Sequence, residues 1–232
     1  MSLVELKNVS KIYGLGKARV RALDGVTLNI EKGEFMSIMG PSGSGKTTLL
    51  NVVGCLDRPT SGEVKIGGRD VTQMSVGELN ALRLRKLGFV FQTFNLVPTL
   101  TALENVEFRL SLAGLNGSEQ RRQATKLLKL VGLGGRLKHR PNQMSAGERQ
   151  RIAIARALTN DPELVLADEP TGNLDTAIGR EIIALMRDLN RKFEKTFIIV
   201  THNPEVARAT DRVVILKDGK IAKEEKKRKE KR

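Results

Sequence analysis

The sequence predicts an α/β fold: a mostly parallel core sheet, an N-terminal antiparallel β-subdomain and an inserted α-helical subdomain. Three observations predict it. Short, nearly continuous apolar runs at residues 35–39, 164–167 and 196–200 have the pattern of strands buried on both faces. An amphipathic helical run, residues 178–193, lies between the last two, and strand–helix–strand order gives parallel strands joined by right-handed crossovers. From residue 101 to about 158 the strand pattern gives way to helical periodicity, with Leu103, Val106 and Leu110, then Ala124, Leu127, Leu128 and Val131, at helix spacing.

The elements follow in order. Val4, Leu6 and Val9 alternate with polar residues, as a half-buried strand requires. Residues 26–30 form a second strand, and Glu31-Lys32-Gly33 turns the chain into the buried run at 35–39. A helix is expected over residues 48–56, then strands at 62–66, closed by Gly67-Gly68, and at 88–92. Glycines at 114–117 and 132–135 punctuate the helical insert. Asp218-Gly219 joins strands at 212–216 and 220–222 in a hairpin. Residues 1–222 read as one domain, with a core at 1–92 and 159–222 and the helical subdomain at 93–158. Residues 223–232 read as a charged tail.

The 232 residues, 40% hydrophobic and 28% charged, suit a globular domain with a real core rather than a disordered chain. No apolar run approaches the roughly 20 residues that span a bilayer. The N-terminus lacks a basic region followed by an apolar stretch, so a cytoplasmic protein is expected. Cys55 is the one cysteine, which rules out an intrachain disulfide, and it reads as a small buried residue of the helix near 49–56. With two histidines and one cysteine there is no Cys/His zinc set. The net charge of +14 favours a polyanion, either nucleic acid or an anionic membrane surface. The tail holds seven basic and three acidic residues, and so +4 of that total. Charge alone does not choose the partner.

Gly40-Pro41-Ser42-Gly43-Ser44-Gly45-Lys46-Thr47 fits G-x-x-x-x-G-K-[ST] at every fixed position, directly after a strand and before the helix that continues with Thr48. Glycines let backbone N–H groups wrap a phosphate without a side-chain clash, and the helix N-terminus adds a positive field. Lys46 reaches the β- and γ-phosphates, and the Thr47 hydroxyl can ligate Mg²⁺. The core is thus of the phosphate-loop NTPase type. This motif leaves kinase, GTPase, helicase and transporter ATPase open. A second signal is Asp168-Glu169, two acids at the end of an apolar strand. There Asp168 can help hold Mg²⁺, directly or through water, opposite Thr47, and Glu169 can activate an attacking water.

Between these motifs lies Asn142-Gln143-Met144-Ser145-Ala146-Gly147-Glu148-Arg149-Gln150-Arg151. It resembles the signature sequence of ABC (ATP-binding cassette) ATPases. Other landmarks of that family follow its order: Gln92 is similar to its Q-loop glutamine, Gly172-Asn173-Leu174-Asp175 to its D-loop, and His202 to its switch histidine. Tyr13, the only tyrosine, sits where the family stacks an aromatic ring on adenine. The resemblance runs from Val4 to Ala222. It implies ATP and Mg²⁺ as ligands. Catalysis would fall to Glu169, His202 and Lys46, and the metal to Thr47, Asp168 and Gln92. Nucleotide contacts would come from Tyr13, Gly40 to Thr48, Gln92, Ser145, Gly147 and Asp175. It also implies a head-to-tail dimer of two copies with ATP between one chain's phosphate loop and the other's signature. Such a dimer would drive a separate transmembrane permease subunit from the cytoplasmic face of the membrane.

The family's usual signature is Leu-Ser-Gly-Gly-Gln, where this chain has Met144-Ser145-Ala146-Gly147-Glu148. Ala146 demands a negative φ. Glu148 puts a carboxylate near a phosphate site, unless a Ser145-x-x-Glu148 capping box folds it back. The expectation is a working site with slower turnover. Segments 21–26, 54–62 and 94–98 are most similar to the lipoprotein-release and macrolide-export subfamily, and residues 94–98, Leu96 among them, are expected in the permease-docking groove. The alternative is a soluble ABC ATPase acting on nucleic acid. A single cassette with no long coiled-coil insertion and no aromatic stacking platform speaks against it.

Overall fold

A computed structural model describes residues 2–15 and 18–227. Two sheets organise the chain. The first is fully antiparallel and is built from β1 (Ser2–Leu15), β2 (Ala18–Glu31), β4 (Ser61–Ile66) and β5 (Arg69–Asp70), in the order β2-β1-β4-β5. The second contains β3 (Phe35–Met39), β6 (Leu87–Phe91), β7 (Leu164–Asp168), β8 (Thr196–Val200), β9 (Arg212–Lys217) and β10 (Lys220–Lys226), in the order β10-β9-β3-β8-β7-β6. All its neighbours run parallel except the β9–β10 hairpin.

Strand alternation sorts side chains to the two faces of this sheet. Met36, Ile38, Leu164, Leu166, Ile198 and Val200 meet the antiparallel sheet and α1 (Lys46–Val53) in one apolar cluster. Phe35, Val165, Ala167, Phe197 and Ile199 face a second cluster with the helices. These helices are α3 (Ala102–Ser111), α4 (Gly117–Leu130) and α5 (Ala146–Ala157) of the inserted subdomain, and α6 (Thr176–Phe193) of the core.

Several elements differ from the sequence reading. The helix after the phosphate loop stops at Val53 rather than residue 56. Cys55 stands just beyond it at φ 55, its N–H donating to Val52 O, and the Leu56 N–H donates to Asn51 O. This is the closing geometry of a helix C-terminus, with cysteine where glycine is common. Cys55 is buried, as expected, but in a turn. Helix α2 (Val76–Lys86) was not read from the sequence, because only Leu79 and Leu82 of its eleven residues are buried. Its signal was the Ser75/Glu78 capping box. Helix α7 (Pro204–Arg208), with Pro204 in its first turn, is too short for a periodic signal. Strand β10 carries four residues of the expected tail, Lys223 to Lys226, as an edge strand whose Glu224 pairs with Arg212. Residues 228–232 lie outside the described residues.

Candidate nucleotide-binding site

The carboxyl ends of β3, β7 and β8 converge, which is where an open parallel sheet binds ligands. After β3 the chain enters the loop Gly40 to Gly45. Gly45 has φ 99, and a Cβ there would lie 2.3 Å from Ala22 O; at Gly40 a Cβ would meet Leu216 O at 2.1 Å. The loop is therefore clamped between β2 and β9, and only glycine fits. The Ser44 hydroxyl is buried without a partner among the described residues. Lys46 is almost fully buried, and its ammonium donates to Gly40 O at 2.8 Å and to Pro41 O at 2.9 Å. An open cavity of about 390 Å³ beside the loop is lined by Val20, Arg21, Gly43, Lys46, Thr48 and Asp218.

Thr47 Oγ1 donates to Asp168 Oδ1 at 3.4 Å. Burial and then the neighbouring Glu169 push the Asp168 carboxyl above its ordinary value, while the bond from Thr47 and the Lys46 charge oppose this. Glu169 follows at φ 46, a left-handed conformation that is costly for a residue with a Cβ, on the order of 1–3 kcal/mol. It is held there by its own N–H to Val200 O, 2.9 Å, and by the Gly172 N–H to Glu169 O, 3.0 Å. The turn aims the carboxylate at the exposed His202, whose Nδ1 lies 2.8 Å from Glu169 Oε1. A carboxylate can only accept, so this nitrogen carries the proton.

Gln92 is not part of the Thr47–Asp168 contact. Its amide Nε2 donates to Asn173 Oδ1 at 3.4 Å, and Asn173 Nδ2 donates to Gln92 O at 2.9 Å. Asn173, named in the sequence only as part of the D-loop motif and given no role there, is thus the partner of Gln92, and their separation in sequence hid the pair. Tyr13 is 42% exposed and is the cross-strand partner of Val20, which lines the cavity. Its hydroxyl donates to Asp57 Oδ2 at 2.7 Å.

The signature lies at the start of α5, and no hydrogen bond or ion pair among the described residues joins residues 145–148 to the phosphate loop. Ser145 is the N-cap and accepts from the Glu148 N–H, while Glu148 Oε2 accepts from the Ser145 N–H at 2.9 Å, so the expected capping box is present. Arg136, which the sequence reading missed, donates to Glu148 Oε1 at 3.0 Å. Ala146 lies in the helix with negative φ, as required. Gly147 is not open, as expected of a phosphate contact, but buried, and a Cβ on it would lie 2.7 Å from Ile178 Cγ2 of α6. Asp175 caps α6, accepting from the Ile178 N–H at 3.0 Å. Of the segment 94–98 expected in a docking groove, Leu96 packs against the second core cluster, whereas Asn95 lines the groove beside β6. The groove that does open beside β6 is lined by Leu56, Phe89, Phe91, Phe108 and Leu112.

Fold and site together define a phosphate-loop NTPase. The ABC transporter family model matches residues 23–172. An ABC transporter ATP-binding protein of Thermotoga maritima is 54% identical over 219 residues, covering 94% of this chain and 93% of its own. MJ0796 of Methanocaldococcus jannaschii, another ABC transporter ATP-binding protein, is 50% identical and covers 97% of each chain. Two dimeric structures of MJ0796, one in a post-hydrolysis state bound to ADP and Pi, each superpose with a TM-score of 0.89, at 50% identity over 97% of this chain and 99% of theirs. The macrolide export ATP-binding/permease protein MacB of Rhodopirellula baltica is 53% identical over 96% of this chain, which spans 33% of that longer protein. The chain belongs to the ABC transporter family. It is an ATP-binding and ATP-hydrolysing subunit of that family, and the nucleic-acid alternative finds no support among these relatives.

Proposed function

We propose that two copies of this chain close head to tail on two ATP molecules and, on hydrolysis, drive a separate membrane-spanning permease of the export or lipoprotein-release type from the cytoplasmic face of the membrane. The observation that carries this is the meeting of Lys46, Thr47, Asp168, Glu169 and His202 at the carboxyl ends of the interior strands β3, β8 and β7, while the Ser145 helix end makes no hydrogen bond to that group among the described residues. A chain so built has half of a nucleotide site at each of two places, and a second copy completes both. The dimeric relatives support the pairing, the relatives of equal length support a permease on another chain, and the MacB relatives support the export class.

Lys46 leaves the carbonyls of Gly40 and Pro41 for the β- and γ-phosphates, and the free Ser44 hydroxyl turns to a phosphate oxygen. Thr47, in the first turn of α1, and Asp168, at the end of β7, offer hard oxygen ligands 3.4 Å apart, a set that suits Mg²⁺ held jointly with a nucleotide. Gln92 joins them once its amide rotates off Asn173. The metal would neutralise phosphate charge. Glu169 orients and deprotonates the attacking water, and His202, anchored on Glu169 through Nδ1, presents its other nitrogen to the γ-phosphate. Ser145 and the α5 N-terminus bind that phosphate from the second copy. Tyr13 stacks on the adenine, and Asp175 lies across the interface. No helix of the described residues is long and apolar enough to cross a membrane, and the groove of Leu56, Phe108 and Leu112 is the surface for the permease.

Gel filtration of Glu169→Gln with and without ATP tests this. Removing a general base costs on the order of 10²–10⁴-fold in turnover while leaving binding intact, so ATP should shift the variant from monomer to dimer. A variant that hydrolyses at the wild-type rate would remove Glu169 from its role. Saturating ATP that produces no dimer would refute the sandwich.

A further inference from the structure

We propose that the groove beside β6 is a carboxylate acceptor: Arg83, Arg109 and Arg156 together receive one aspartate or glutamate side chain from an apolar helical segment of the membrane subunit. The inference rests on the docking role given to this groove and adds the chemistry by which the partner is recognised.

The three arginines come from three elements, α2, α3 and α5, and line one cavity of about 420 Å³. None of them meets a carboxylate among the described residues. Arg83 donates to Cys55 O and to Asn80 Oδ1. Arg109 donates to Arg83 O at 2.9 Å and to Leu87 O at 2.5 Å. Arg156 donates to Phe94 O at 2.7 Å and to Asn95 O. Several arginines elsewhere do find acids, Arg122 with Glu119, Arg136 with Glu148, Arg180 with Glu205 and Arg187 with Asp211, while Arg58 and Arg208 meet only carbonyls among the described residues. Within the groove, burial pulls the Arg156 guanidinium down to about 10, with the Arg109 charge adding to the effect, and burial lowers Arg109 too. The Arg109 Nε is buried with no partner among the described residues. Three gathered cations and an orphan donor are costly unless an anion completes them.

The rim decides which anion. Leu56, Phe108 and Leu112 are 49%, 54% and 61% exposed around the arginines. A free inorganic anion would leave them in water. An apolar helix carrying one acid covers the rim and delivers the carboxylate to guanidinium forks, which bind it bidentately. Arg156 also grips the carbonyls of Phe94 and Asn95, which sit at φ 62 and 49 two and three residues beyond Gln92. A carboxylate on Arg156 competes with those carbonyls, so docking and the position of the Gln92 loop become linked.

The test is co-purification of the tagged chain with its co-expressed membrane subunit in detergent. Arg83→Glu and Arg109→Glu should each lower recovered complex about tenfold, the equivalent of ~1.4 kcal/mol. Each Asp and Glu in the membrane subunit's cytoplasmic segments is then changed to Arg, and one of these should restore assembly with Arg83→Glu. Circular dichroism and melting temperature report folding, and Arg83→Gln replaces Arg83→Glu if the latter does not fold. If Phe108→Asp abolishes the complex while both arginine variants retain it, the carboxylate inference is overturned and the docking role stands. If no acid in the membrane subunit restores Arg83→Glu, the inference is also overturned. If Phe108→Asp retains the complex too, the docking role itself fails.

Discussion

Glu148, the acid that replaces glutamine in the signature, should stabilise the start of α5 and be electrostatically quiet toward a bound phosphate. Its carboxylate does three things. It accepts the Ser145 N–H at 2.9 Å, it pairs with Arg136 at 3.0 Å, and it places a negative charge in the first turn of the helix. A helix cap is worth ~1 kcal/mol, a partly exposed ion pair ~0.2–1, and the dipole interaction ~0.3–1. After allowing for alanine's better helix propensity, Glu148→Ala should cost about 1–3 kcal/mol. Glu148→Gln keeps the cap acceptor and should cost about 0.5–1.5 kcal/mol. The pH dependence has a definite sign. The Ser145 N–H above all, then Arg136, holds the Glu148 carboxyl below its ordinary value of 4.5, against the opposing effect of burial. The stabilisation is therefore present above pH 4.5 and is lost as the pH falls through the lowered folded value. Urea melts of wild type and Glu148→Ala should differ at pH 7 and converge in acid. Equal stabilities at pH 7 would refute the capping account. In a Glu169→Gln background, Glu148→Gln should leave the ATP concentration for half-dimerisation within about threefold, because Arg136 already neutralises the acid. A tenfold tightening would show that the carboxylate does repel the nucleotide.

Two further outcomes can be checked on the isolated chain. Gly147→Ala sets a methyl 2.7 Å from Ile178 Cγ2, so Ile178→Ala should cost less in that variant than in wild type, with a coupling of about 0.5–2 kcal/mol in urea melts; additive costs would mean that the two helices are not in contact there. Burial pushes the Cys55 thiol up to about 11, so at pH 8 only on the order of one thiol in a thousand is ionised, and alkylation should be slow in the native chain and fast in urea; equal rates would refute the buried turn.

The sequence by itself determined the local parts of this protein. The buried strands at Phe35–Met39 and Thr196–Val200 were legible to the residue, because continuous apolar runs of that length have few other solutions. The phosphate loop and the Ser145/Glu148 capping box were legible because each lies within a few consecutive residues. Tertiary structure alone decided what depends on distant partners. Gly147 is small for Ile178, Arg136 shields Glu148, Asn173 holds Gln92, and Cys55 ends a helix that its sequence would have continued. Nothing in the sequence links Arg83, Arg109 and Arg156, and only the packing of α2, α3 and α5 brings them to one groove, with no acid beside them among the described residues. Hydrophobic period and turn chemistry are written in neighbouring residues, whereas charge compensation and close helix contact depend on which elements the fold places side by side.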